Sequence, residues 1–140
     1  MFNPTREQVR DTFFETWRKY RAGEPLIGIE TLAVEAILAH PEYHAMLADP
    51  HRYRERDYTD EANPFLHMSL HVALEEQLSI DQPPGIVSRF GALLARTADR
   101  HEAMHEAIEC LAETVWRAQR DKAPPDAAAY LACLERRARA

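Results

Sequence analysis

The apolar side chains of the chain recur at helical spacing, and they do so first between Thr5 and Arg21. Successive apolar residues in this stretch are three or four positions apart, as on one face of an amphipathic helix: Val9, Phe13, Trp17 and Tyr20. Asn3-Pro4 or Thr5 is expected to start the helix, since Thr5 and Gln8 have the spacing of a capping box. Gly23 is expected to end it in a left-handed conformation.

Further helices are predicted from the same spacing and from the positions of the prolines. They cover about residues 30–39, 42–48, 64–79, 86–98 and 100–119, and the last one follows Pro124-Pro125. No glycine or proline separates Arg96 from Arg100, so one bent helix over 86–119 is the alternative to two helices. Residues 49–62 are polar and lack an apolar period, which predicts a surface connection.

Together these elements predict an all-α fold, a single helical bundle of about six helices. The helices at 64–79 and 100–119 are apolar around more than half of their circumference, so we expect them to be central. β-branched and aromatic residues nowhere show the sustained alternation that a strand requires. Residues 1–120 are expected to form one domain, and 121–140 an Ala/Arg-rich tail helix whose deletion from Ala123 onward leaves a folded bundle.

Composition restricts the classes of function. The 140 residues are 46% apolar and 29% charged, which is typical of one globular domain. No apolar run approaches the roughly 20 residues of a membrane span, and no secretion signal begins the chain, so we expect a soluble cytoplasmic protein. A net charge of −6 argues against a nucleic-acid partner. The four glycines form no phosphate-binding loop, so no nucleotide cofactor is expected.

The two cysteines, Cys110 and Cys133, are far apart in the sequence and do not form a C-x-x-C motif. This usage is typical of a reducing compartment and argues against a disulfide framework. Helical periodicity places Cys110 on the polar side of its helix, where an exposed or partner-covered thiol is expected.

The histidines are the main candidates for chemistry. Six of the seven form pairs four residues apart, where about 0.3 such pairs are expected by chance: His40 with His44, His67 with His71, and His101 with His105. Two imidazoles at this spacing share one helix face and can converge on one ion. Pro41 lies inside the first pair and is expected to break the helix between its two rings.

The other two pairs each continue to a glutamate four residues later. If the helix between them runs antiparallel, the two pairs lie at heights that differ by roughly 3 Å, so the four rings can meet. Imidazole suits zinc or iron, and a carboxylate can serve as a further ligand or support a ligand's N–H. The sequence therefore predicts a transition-metal site formed by His67, His71, His101, His105, Glu75 and Glu109.

Two alternatives remain open at this point. The histidines can instead form a structural network at the edge of the core, in a metal-free module that presents a helical face to a protein partner. A ferritin-like di-iron site requires two E-x-x-H motifs, and only Glu102-x-x-His105 fits. No motif identifies a reaction, and a homodimer is a further expectation for a chain of this size.

Several stretches carry a family resemblance, among them Asn63–His71 with the sequence Asn-Pro-Phe-Leu-His-Met-Ser-Leu-His. The others are residues 1–10, the run ending at Trp17, 32–44, 75–77, 83–86 and 105–113. They are similar to a bacterial family known as domain of unknown function 1841. The resemblance covers about residues 1–120 and implies a small bacterial protein, but it supplies no activity.

Overall fold

The predicted helices are present in the computed structural model, which describes residues 5–140. Over these residues the protein is all-α, as predicted, with eight α-helices rather than about six and no strand. The helices are α1 (Arg6–Ala22), α2 (Glu30–Leu38), α3 (His44–Leu47), α4 (Pro50–Tyr53), α5 (Pro64–Ile80), α6 (Ile86–Thr97), α7 (Arg100–Asp121) and α8 (Ala127–Arg139). Short 3-10 helices cover Pro41–Tyr43 and Asp60–Ala62. Within the described range no helix has the length and apolar character needed to cross a membrane.

The ends of α1 follow the signals in the sequence. The Thr5 hydroxyl accepts a hydrogen bond from the backbone N–H of Gln8, and the Gln8 side chain accepts one from the N–H of Thr5. Gly23 ends the helix with a φ of 72°. The capping box and the left-handed end are therefore confirmed, while Asn3-Pro4 lies outside the described residues.

Loss of the Thr5 cap is expected to have a small and measurable effect. Thr5→Ala should lower the free energy of unfolding by about 1 kcal/mol, because the N–H of Gln8 loses its acceptor. Urea denaturation followed by circular dichroism measures this change, and Thr5→Ser should retain most of the wild-type stability. A Thr5→Ala protein with an unchanged denaturation midpoint would contradict the role of the cap.

Residues 86–119 form two helices rather than one bent helix. Ala98 ends α6 in the left-handed region with a φ of 56°, and the Asp99 carboxylate then caps α7 by accepting from the N–H of His101. A left-handed residue without glycine is uncommon, which is why the sequence left this boundary open.

The chain divides into two units, the first ending at Val72 and the second covering Ala73–Ala140, so that the division falls within α5. In the first unit α1 packs against α2 and α3. Its buried cluster includes these apolar residues: Phe13, Phe14, Trp17, Ala33, Ala36, Ile37, Leu47, Phe65, Met68 and Val72.

A buried arginine attaches the polar connection at residues 49–62 to the first unit. The Nη1 atom of Arg10 donates to the backbone oxygens of Arg54 and Arg56, at 2.9 and 2.7 Å. Its guanidinium carbon lies 4.7 Å from the ring centre of Phe65, in the first turn of α5. The connection also contains α4, which the lack of an apolar period did not predict.

In the second unit α6, α7 and α8 pack against one another. Cys110 of α7 and Cys133 of α8 form a disulfide with their Cα atoms 5.9 Å apart, and Cys110 is only 1% exposed. The prediction of an exposed thiol at Cys110 was wrong because α8 covers this face of α7, which the periodicity of α7 alone could not reveal. The cysteines no longer support a reducing compartment, and a cytoplasmic location stays a prediction.

The C-terminal helix α8 belongs to this second unit. It buries Tyr130 and Leu134 and packs against both α6 and α7. The Tyr130 hydroxyl also donates to Oε1 of Gln77, at 2.7 Å. The division into residues 1–120 and 121–140 stays untested as a prediction, but this packing removes the reason for regarding the tail as dispensable.

Candidate metal centre

His40 is placed by the end of α2. The helix stops at Leu38, and Pro41 opens a 3-10 helix for which His40 is the N-terminal flanking residue. The side chain is 1% exposed, and its Nδ1 lies 2.7 Å from the backbone oxygen of Ala36. Because a carbonyl oxygen only accepts, Nδ1 carries the hydrogen, and in the uncharged form of the ring the lone pair is on Nε2.

His67 and His71 lie one turn apart in the N-terminal half of α5 and meet His40 through the same ring atom. The Nε2 atoms of His67 and His40 are 3.0 Å apart, and those of His71 and His67 are 3.2 Å apart. The three rings meet at steep angles, with centres 4.6–4.8 Å apart. Three imidazole nitrogens therefore converge within the first unit.

Hydrogen bonding among neutral rings does not account for both short contacts. If Nε2 of His67 donates its hydrogen to His40, it has no lone pair left to accept a hydrogen from His71. If it accepts from His71 instead, its lone pair faces the lone pair of His40. The three neutral rings can therefore form one conventional hydrogen bond, although they make two short contacts. A cation at the point where the nitrogens converge can accept a lone pair from each of the three rings.

The spacing of these nitrogens is close to that around a tetrahedral metal ion. With Zn–N bonds of about 2.0–2.1 Å, neighbouring ligand nitrogens lie about 3.3 Å apart. Within the first unit, His40, His67 and His71 lie within metal-binding distance, since one ligand atom from each lies within 4.8 Å of the other two.

Comparison with known proteins places the chain in a family. The sequence model of a family described as domain of unknown function (DUF1841) matches residues 5–136. The chain belongs to this family. No curated protein and no solved structure gives a significant match. The match extends through most of α8, beyond the stretch of about 120 residues that carries the resemblance in the sequence.

The predicted ligands of this DUF1841 chain occupy three kinds of position. His67 and His71 belong, together with His40, to the histidine group of the first unit. His101 is exposed and lies one turn before His105, with ring centres 4.1 Å apart. Glu75 and Glu109 form ion pairs with arginines, Glu75 with Arg100 and Glu109 with Arg137. The group contains no carboxylate.

His40 is the member of the group that sequence reasoning missed. The prediction that Pro41 breaks the helix between His40 and His44 is correct, but the break itself directs His40 toward α5. His44 has a separate place, where its Nε2 lies 2.8 Å from the backbone oxygen of Ile37 and its ring stacks on Trp17. The spacing of residues within one helix cannot predict a ligand that a different segment of the chain supplies.

The surroundings of His40 in the DUF1841 chain hold its ring in place without charge. The Tyr43 ring stacks on it with centres 5.3 Å apart. Burial, followed by the nearby Glu42 carboxylate, raises the pKa of Tyr43, so its phenol stays neutral. The imidazole also donates to the uncharged carbonyl of Ala36. A carbonyl that accepts from the ring N–H is a common support for a metal-bound histidine.

Proposed function

We propose that the protein binds one transition-metal ion through His40, His67 and His71 of the first unit. The observation that carries this proposal is the convergence of three Nε2 atoms. The Nε2 atom of His67 lies 3.0 Å from that of His40 and 3.2 Å from that of His71. His40 is also held in the tautomer that a metal ligand requires. Neutral rings supply one conventional hydrogen bond for these two contacts, whereas a metal ion accepts a lone pair from each ring.

The donor set favours a particular class of ion. Three neutral imidazoles without a carboxylate suit zinc and its neighbours in the first transition series, whereas magnesium and calcium require oxygen ligands. The usual non-haem iron site includes a carboxylate, which this group lacks. Zinc is therefore the ion that we propose.

The number of ligands favours an open coordination position on the ion. A structural zinc site fills all four tetrahedral positions with protein ligands, while a catalytic site has three protein ligands and keeps one position open for water or substrate. The first unit supplies three histidines. We therefore propose that the fourth position is available to a water molecule or a substrate.

Metal content of the purified protein tests the proposal directly. Protein expressed without a polyhistidine tag should contain close to one equivalent of zinc by mass spectrometry. Replacement by Co²⁺ should give the intense visible absorption of a tetrahedral nitrogen site, and EDTA should abolish it. Less than about a tenth of an equivalent of any first-row metal, with no Co²⁺ spectrum, would contradict metal binding.

The metal content also tests the second candidate function, a metal-free interaction module with a structural histidine network. The hydrogen bond from His40 to Ala36 is compatible with such a network. A protein that remains metal-free and whose melting temperature responds to neither EDTA nor zinc would favour it. A protein partner or a second copy of the chain then becomes the leading hypothesis, and light scattering tests the second copy.

A further inference from the structure

The disulfide of the second unit lies at a cleft between α7 and α8. Cys110 and Cys133 both line this cleft, which has a volume of about 560 Å³. Cys133 is 9% exposed and Cys110 is 1% exposed, so Cys133 is the more accessible of the two. Clefts of about 300–1,000 Å³ commonly hold small organic molecules. The disulfide is therefore placed where a small molecule can approach it.

An arginine lies beside the more accessible cysteine. Arg136 is exposed, lines the same cleft and follows Cys133 by three residues in α8. Residues three apart are neighbours on one face of a helix, with about 5–6 Å between their Cβ atoms. Within residues 5–140, Arg136 forms no ion pair. Its guanidinium is therefore available to an anion that enters the cleft.

The other charged groups of the cleft have partners within the second unit. Two ion pairs, each with an N–O distance of 2.8 Å, join Arg117 to Glu113 and Arg120 to Asp121. The Asp126 carboxylate accepts a hydrogen bond from the backbone N–H of Ala129 and caps α8. Arg136 thus supplies the charge that remains for a ligand, and a carboxylate is the group that a guanidinium binds well.

We propose that this cleft is a site of thiol–disulfide exchange with a small thiol that carries a carboxylate. The thiolate of the small molecule attacks Sγ of Cys133, and a new S–S bond forms as Sγ of Cys110 leaves as a thiolate. A second small thiolate then attacks the sulfur of the first one and releases Cys133. Two electrons pass to the protein, and the two small thiols become one disulfide. The protons that they release are taken up by the two cysteines.

Arg136 has a positioning role in this exchange. Its guanidinium attracts the carboxylate of the small thiol and so raises the concentration of the thiol next to Cys133. A neutral thiol gains nothing from this charge, and a cationic thiol is repelled by it. The activity belongs to the second unit alone and does not depend on the proposed metal site.

Rates of reduction by thiols of different charge test the exchange in the full-length protein. The thiols are 3-mercaptopropionate, which is anionic, 2-mercaptoethanol, which is neutral, and cysteamine, which is cationic. Trapping with iodoacetamide and mass spectrometry measure the loss of the disulfide at low ionic strength. Arg136→Ala should slow reduction by 3-mercaptopropionate about fivefold, leave the rate with 2-mercaptoethanol unchanged and accelerate reduction by cysteamine. Each thiol is compared between two proteins, so its intrinsic reactivity cancels.

Arg139→Ala is the matched control, because Arg139 is also an exposed arginine of α8 but does not line the cleft. All three thiols should reduce it at the wild-type rates. A disulfide that only joins two helices would be reduced after unfolding, at a rate that does not rise with thiol concentration and is the same for the three thiols. That result would overturn the proposal, as would reduction of Arg136→Ala by 3-mercaptopropionate at the wild-type rate.

Discussion

His67→Ala is expected to abolish stoichiometric metal binding and, with it, the response of the melting temperature to chelators. Nε2 of His67 is the central atom of the convergence, since it lies within 3.2 Å of the corresponding atoms of both His40 and His71. An ion bound only by the folded protein stabilises it by about 2.7 kcal/mol when the free ion is at 100 times its dissociation constant. EDTA should therefore lower the melting temperature of wild-type protein and leave that of His67→Ala unchanged.

His44→Ala provides the control for a purely structural loss. His44 is half-buried and makes its own contact with the carbonyl of Ile37, outside the group of ligands. The substitution should destabilise the protein by about 1–3 kcal/mol through the lost side-chain hydrogen bond to Ile37 and the lost ring stack. It should nevertheless retain the full zinc content and the response to EDTA. Equal zinc affinity in His67→Ala and wild type would exclude the proposed ligand set.

Ending the chain after Ala123 is expected to prevent cooperative folding of the second unit. The truncation removes α8 with its buried residues Tyr130 and Leu134 and exposes the face of α6 against which α8 packs. A single large-to-small substitution at such a position costs about 2–5 kcal/mol, and a whole domain is stable by only about 5–15 kcal/mol. Thermal denaturation should show no sharp transition for this unit, or the protein should be insoluble.

The disulfide accounts for only part of this expected loss. For a closed loop of about this length, with Cys110 and Cys133 separated by 23 residues, cross-linking stabilises a fold by about 3 kcal/mol. A double Cys110→Ser, Cys133→Ser variant that retains α8 should therefore fold with a lower denaturation midpoint. Arg137→Ala, which removes an exposed ion pair, should change stability by less than about 1 kcal/mol. A truncated chain that melts like the double variant would show that α8 packing contributes little.

The sequence predicts the helices well because their signals are local. In α1, the apolar stripe, the cap at Thr5 and the end at Gly23 are three separate signals, and each depends only on residues about one helical turn apart. The short helix α4 was missed because four residues do not produce a period. The pairing of Cys110 with Cys133 was missed because it depends on how α8 packs against α7.

The candidate site likewise contains residues with a local sequence signal and residues without one. His67 and His71 were found because a spacing of four residues is a local pattern. His40 was not, since its role arises where α2 ends and Pro41 redirects the chain. The two glutamates at the same spacing lie in ion pairs with arginines, and periodicity cannot distinguish a ligand from the partner of a cation.

The anchoring of His40 has a consequence for discrimination among metals. Its imidazole is held at one nitrogen by the carbonyl of Ala36 and on one face by Tyr43, so the donor atom has little freedom to move. By intrinsic affinity Cu²⁺ outcompetes zinc for nitrogen ligands, but it prefers a square-planar or tetragonal arrangement. A donor fixed in a compact, three-dimensional cluster resists flattening into a plane. In the site that we propose, the rigidity of one residue thus favours zinc over copper through the shape of the coordination sphere.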